Sequence, residues 1–214
     1  MSAPTLRFER ELLRSLPSAG PRTLAAIDEV GRGALAGPVA VGVVIIDVDA
    51  RPAPRGVRDS KACAPEQRRT LAPRIRRWAR ACAVGMASAA EIDERGIMAA
   101  LAMAAVRGLN ALGERPAIVL LDGNHDWLRR QCNGVPVVTR VSGDATCAAV
   151  AAASILAKVA RDDLMAQLAR DHPAYGWESN RGYAAPDHIA ALEAHGPSPL
   201  HRQSWRLPGV AAAQ

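Results

Sequence analysis

Two apolar stretches, Thr23–Glu29 and Pro38–Ile46, are separated only by Val30–Gly37. So short a connection fits two antiparallel neighbours and excludes a crossover helix between them. The second stretch, rich in Val and Ile, shows no polar alternation and reads as a buried strand. Further along, 65–80, 89–94, 97–112 and 145–170 read as helices, and 5–16 as a short amphipathic helix. Strands are expected at 81–87, 117–121 and 135–141, and a helix over Pro186–His195 with Pro at its start and Gly196 closing it. A hairpin followed by strands alternating with helices implies an α/β domain with a mixed five-stranded sheet flanked by helices.

With 49% hydrophobic and 22% charged residues, the 214-residue chain is neither disordered nor a disulfide scaffold. It is expected to form one domain over 1–214, with 163–214 as its C-terminal helical part. The longest apolar runs, 36–46 and 147–157, fall short of the ~20 residues of a membrane span. The N-terminus is charged where an export signal needs an apolar stretch. Cys63, Cys82, Cys132 and Cys147 form no C-x-x-C pair, so buried reduced thiols and a cytoplasmic setting are expected.

The net charge is +6, which favours a polyanionic partner. The densest basic run is Arg68, Arg69, Arg74, Arg76, Arg77 and Arg80. It reads as a solvated helix face, with phosphate contact as the alternative. Arginine supplies all of the 27 basic residues except Lys61 and Lys158. A chain that spends lysine so sparingly places it where a compact ammonium is useful.

Several acids stand at strand ends: Asp28-Glu29 after the first strand, Asp122 after Ile118–Leu121, and Asp144 before the long helix. Strand ends are where α/β sheets collect their sites. Carboxylates converging there repel one another unless a cation neutralises them, and hard divalent metals take such oxygen ligands. For Asp144, capping of the following helix is an equal alternative. Asp28 and Glu29 point to opposite faces unless the strand kinks or ends. Gly31-Arg32-Gly33-Ala34-Leu35-Ala36-Gly37 superficially matches a dinucleotide-binding loop, but a strand follows it where that motif requires a helix.

Ile27-Asp28-Glu29-Val30-Gly31-Arg32-Gly33 with Leu35-Ala36-Gly37-Pro38-Val39 resembles the signature of ribonuclease HII, the type 2 ribonuclease H. Asp59-Ser60-Lys61, Leu121-Asp122-Gly123-Asn124 and Gly143-Asp144 with Ser154, Lys158, Arg161 and Asp162 are similar to its further motifs. Gly182-Tyr183 with His188, then Gly196 to Arg202, resembles its C-terminal signature. The likeness spans residues 27–205.

The resemblance implies an RNase H-like fold and a metal-dependent endonuclease. Its substrates would be RNA–DNA hybrids and DNA duplexes containing ribonucleotides, cut 5′ of the ribonucleotide to leave 3′-hydroxyl and 5′-phosphate ends. It assigns Asp28, Glu29, Asp122 and Asp144 as catalytic metal ligands for Mg²⁺ or Mn²⁺, in a two-metal site. It assigns Gly31, Arg32 and Gly33 to sensing the 2′-hydroxyl, and Tyr183 to the ribonucleotide–deoxyribonucleotide junction. Ser60, Lys61, Ser154 and Lys158 would hold phosphates. A monomer is expected.

The chain departs from the family pattern at Ser142, where many members carry Lys, and at Ala185, where Thr often caps the next helix. No clamp-binding tail is evident after Trp205, and no added N-terminal domain of the type 3 relative. His188 and His201 read as structural, and His125 as an exposed loop residue. A non-catalytic nucleic-acid-binding module and a junction resolvase are the competing readings. The full acidic set opposes the first, and the Gly-Arg-Gly loop with Tyr183 opposes the second.

Overall fold

The computed structural model of the chain describes residues 3–20 and 22–210. Five strands, β1 (Thr23–Val30), β2 (Val39–Asp47), β3 (Ala81–Ala87), β4 (Ile118–Asp122) and β5 (Val137–Arg140), form one sheet in the order β3-β2-β1-β4-β5. β1, β2 and β3 pair antiparallel, as the short connection after β1 requires. β4 and β5 add in parallel on the other side of β1. The mixed five-stranded sheet expected from the sequence is therefore the sheet observed.

The helices are α1 (Arg7–Ser15), α2 (Pro65–Trp78), α3 (Ala89–Arg95), α4 (Ile97–Ala111), α5 (Gly143–Thr146), α6 (Ala148–Asp171), α7 (Trp177–Asn180) and α8 (Pro186–His195). Leu24, Ala26, Val44 and Ile46 on one sheet face bury against α1, α2 and α6. Ala25, Ile27, Val43 and Ile45 on the other face bury against α3 and α4. This alternation is the period-2 pattern of strands. A third apolar cluster joins Met165 of α6 to Tyr175, Trp177, Leu192 and Leu207.

The alanine run of α6 serves the sheet contact. Ala148 through Ala153 are all buried, and the helix passes so close to β2 that a Cβ at Gly42 would meet the Ala153 carbonyl oxygen at 2.1 Å. Small side chains permit that approach while favouring helix.

Three expectations need correction. The helix read over 145–170 is two helices, broken at Cys147, whose backbone is extended. Alanine propensity shows no break there; the partners that permit it lie elsewhere in the chain. The Ala148 N–H donates to the Thr5 carbonyl (3.1 Å) and the Ala149 N–H to Glu9 Oε1 (2.8 Å), so the N-terminal segment caps α6. Arg68 is not on a solvated face. It is buried and donates to the carbonyls of Ser60 (2.8 Å) and Cys63 (2.7 Å), with Asp162 3.6 Å away. The tail after α6, read as irregular apart from Pro186–His195, also contains α7 and a short helical turn over Pro173–Tyr175. The very end of the tail on which the clamp expectation rests, 211–214, lies outside the described residues.

Candidate active site

β1 and β4 run parallel only as far as Ile27 opposite Leu121, so Asp28 and Asp122 leave the paired region side by side. Asp144 comes to them through a tight turn. Ser142 adopts a left-handed conformation (φ 55°), and the next N–H, of Gly143, donates to Asp122 Oδ1 at 2.6 Å. Asp144 thus sits within the first turn of α5 and does not cap α6. One carboxylate oxygen from each of Asp28, Asp122 and Asp144 lies within 4.8 Å of the others.

Glu29 is not part of this group of three. β1 stays regular to Val30, so alternation turns Glu29 away from Asp28, and its carboxylate faces Arg32 Nη1 at 3.7 Å. It remains at the rim, where it feels the charges of Asp122 and Lys61.

Burial pushes Asp28, only 4% exposed, well above the usual carboxylate range; a hydrogen bond from Ser154 opposes this, and the charges of Asp122, Glu29 and Asp144 add to it. Burial also raises Asp122, reinforced by Asp144. Such acids side by side are costly unless protonated or neutralised by a cation. An all-oxygen donor set with surplus negative charge fits a hard divalent ion, so the residues present suit a metal of the Mg²⁺ or Mn²⁺ type.

Ser154 Oγ and Ser60 Oγ hydrogen-bond at 2.8 Å, and both are buried. The resemblance assigned them to phosphates; in the structure Ser154 bonds the Asp28 carboxylate and Ser60 bonds Ser154. Lys61 is exposed, with Nζ 3.3 Å from Asp144 Oδ2 and 4.0 Å from Asp59 Oδ1. Partial burial works against its charge, but these two acids outweigh it and raise its pKa. Lys158 is half-buried, bonded to Asp162 (2.7 Å), and lies 5.7 Å from the centre of the Tyr183 ring. Burial lowers its pKa, partly offset by Asp162.

Arg161 and Arg202 are the residues whose roles sequence reasoning missed. Both are fully buried. Arg161 donates to the carbonyls of Pro38 (2.8 Å), Ala36 (3.0 Å) and Arg181 (2.9 Å), and its guanidinium lies 5.3 Å from the Tyr183 ring centre. Arg202 donates to the carbonyls of Gly31 (2.6 Å) and Arg32 (2.7 Å). The available signal for Arg161 was its place one turn after Lys158 on the helix that carries Ser154. Of the glycines in the loop, Gly31 is held at φ 89° against Arg161, whereas Gly33 stands in open space. His188 and His201 are buried and His125 is exposed, as the sequence led one to expect.

A five-stranded RNase H-like sheet with acidic residues converging at the ends of β1 and β4 defines a nuclease of the ribonuclease H class. The family model for Ribonuclease HII matches residues 25–207. Ribonuclease HII of Streptomyces avermitilis is 47% identical over 204 residues, covering 94% of this chain and 83% of that protein. Ribonuclease HII of Rhizorhabdus wittichii is 46% identical over 207 residues, covering 96% and 94%. Among solved structures, ribonuclease H2 of Pyrococcus horikoshii aligns with a TM-score of 0.71 at 28% identity, over 86% of this chain and 94% of that one. The ribonuclease HII of Archaeoglobus fulgidus, solved in complex with PCNA, aligns at 0.70 and 29% identity, over 86% and 93%.

The chain belongs to the ribonuclease HII family. It is a metal-dependent phosphodiester hydrolase that acts on the RNA strand of RNA–DNA hybrids and incises at ribonucleotides embedded in DNA. Among the described residues, no helix is long and apolar enough to cross a membrane.

Proposed function

We propose that Asp28, Asp122 and Asp144 hold two divalent ions, Mg²⁺ or Mn²⁺, with Glu29 as a fourth carboxylate at the rim. The observation that carries this is the convergence of three carboxylates within 4.8 Å, two of them buried, with burial raising Asp28 well above the usual carboxylate range. When bound, such ions lower the pKa of water and neutralise charge on the phosphoryl oxygens in an in-line displacement. The chain's own residues do the rest. Ser154 bonds the Asp28 carboxylate and is itself bonded by Ser60. Lys61, exposed beside Asp144, meets the phosphate nearest the scissile bond, and Lys158 meets another. With acids that are all ligands, no side chain is left as a free base.

Backbone groups of Gly31–Gly33 read the 2′-hydroxyl, the feature that separates RNA from DNA. Tyr183 packs its ring on the sugar at the junction. Arg161 supports this assignment, because it contacts both elements. The reaction on embedded ribonucleotides is incision on the 5′ side, leaving 3′-hydroxyl and 5′-phosphate ends. The protein works as one domain and as a monomer; α6 running from the first apolar cluster into the third supports the former. Four unbridged cysteines fit a reducing, cytoplasmic compartment.

A labelled DNA duplex with one ribonucleotide, incubated with Mg²⁺, Mn²⁺ or chelator beside an all-DNA control, tests the proposal. Incision only 5′ of the ribonucleotide and only with metal is expected. Incision of the all-DNA control, or in chelator, would overturn it.

A further inference from the structure

The two elements proposed to read the sugar lie far apart in sequence, yet one turn fastens both. That turn is Ser198–Arg202, closed by the His201 N–H donating to the Ser198 carbonyl at 3.0 Å. On one side, Arg202 donates to the carbonyls of Gly31 and Arg32, and its own N–H donates to the Leu35 carbonyl at 2.9 Å. On the other side, a buried chain of rings leads to Tyr183.

The partners in that chain fix both tautomers. Trp177 Nε1–H donates to His188 Nε2 at 3.2 Å, so His188 carries its proton on Nδ1, which donates to the Tyr183 carbonyl at 2.8 Å. The Ser198 N–H donates to His201 Nδ1 at 2.9 Å, so His201 carries its proton on Nε2. That proton points at His188 Nε2, 3.0 Å away. Every ring nitrogen is used, and both imidazoles are neutral and buried.

We infer that the Ser198–Arg202 turn is a gauge that sets the position of Tyr183 relative to the Gly31–Gly33 loop. His188 and His201 form the strut to Tyr183, and Arg202 the strut to the loop. These are positioning residues; none touches the reacting atoms. The inference rests on the reading of Tyr183 and the loop as sugar readers. It makes ribonucleotide discrimination depend on which nitrogen of residue 188 faces Tyr183.

Two substitutions at His188 separate positioning from mere structural support. An Asn amide nitrogen sits where Nδ1 sits and keeps the donor to Tyr183, but leaves Trp177 and His201 without their acceptor. A Gln amide reaches the Nε2 position, keeps that acceptor and loses the donor to Tyr183. His188→Gln is therefore expected to melt higher than His188→Asn. The ratio of kcat/KM on a single-ribonucleotide duplex to that on an RNA–DNA hybrid is expected in the opposite order. It falls about tenfold or more in His188→Gln, from misplacement of Tyr183. In His188→Asn it stays near the parent value, while Mn²⁺ affinity measured by calorimetry stays as in the parent for both.

Tyr183→Ala is measured alongside. If it lowers the ratio while the His188 variants simply follow their melting order, the gauge is overturned and the reading of Tyr183 stands. If Tyr183→Ala leaves the ratio unchanged, the sugar-reader assignment fails and the gauge with it.

Discussion

Gly31 lies so close to Arg161 that a Cβ on it would come within 2.1 Å of Nε. Arg161 cannot retreat, because three carbonyls hold its guanidinium in a fully buried place. Gly31→Ala also meets a φ of 89°, which L side chains avoid. We expect a loss of about 2–3 kcal/mol in denaturant titration and at least about a hundredfold lower incision. An alanine variant as stable as the parent would show that the Arg161 cradle is loose.

Asp122→Asn is expected to trade activity for apo stability. The asparagine keeps an oxygen for the Gly143 N–H but removes one charge from the crowded site. Without metal the variant should be more stable than the parent, because burial and the Asp144 charge disfavour the ionised Asp122 carboxylate. Incision should fall by at least about two orders of magnitude. Thermal unfolding in chelator and in Mg²⁺ checks this: metal should raise the parent's midpoint and not the variant's.

Lys61 carries its charge into solvent beside Asp144. If it meets a phosphate, Lys61→Met should weaken duplex binding and lower the slope of log affinity against log salt by about one. An unchanged slope would restrict Lys61 to balancing Asp144.

Glu9 is buried, with Oε1 bonded to the Ala149 N–H and Oε2 without a partner among the described residues. Burial raises its pKa from 4.5 to about 7. Between these values the folded state holds the proton and the unfolded state does not. Its contribution is therefore fully present below pH 4.5 and lost as pH rises through about 7. The loss is on the order of 3 kcal/mol. His201, lowered to about 4 mainly by burial, acts in the opposite sense below pH 6.5. The readout is thus the difference between parent and Glu9→Gln in denaturant titrations from pH 5 to 8. That difference should change in the variant's favour as pH rises; a flat difference would contradict the burial argument.

Ala185 precedes α8 with extended backbone and no side-chain cap. Ala185→Ser should supply one and add about 0.5–1 kcal/mol. A shift of a few degrees in the melting midpoint is the expected scale.

Local chain length and pattern were enough for the hairpin, because eight residues or fewer cannot carry a crossover, and for which acids stand at strand ends. The sequence also placed Pro186–His195 at its observed bounds, since Pro and Gly act locally on the backbone. Three acids meet because β1 and β4 are parallel neighbours and the Ser142 turn brings Asp144 back to them. No local pattern encodes that pairing. Nor does one encode the break at Cys147, which depends on Thr5 and Glu9 capping α6 from the other end of the chain. Ser60 and Ser154 looked like phosphate ligands, but both are buried and bond each other, with Ser154 also on Asp28, because hydroxyls on packed elements satisfy each other before they meet solvent. Arg161 and Arg202 show the same limit: an arginine reads as surface charge until the fold surrounds it with carbonyls.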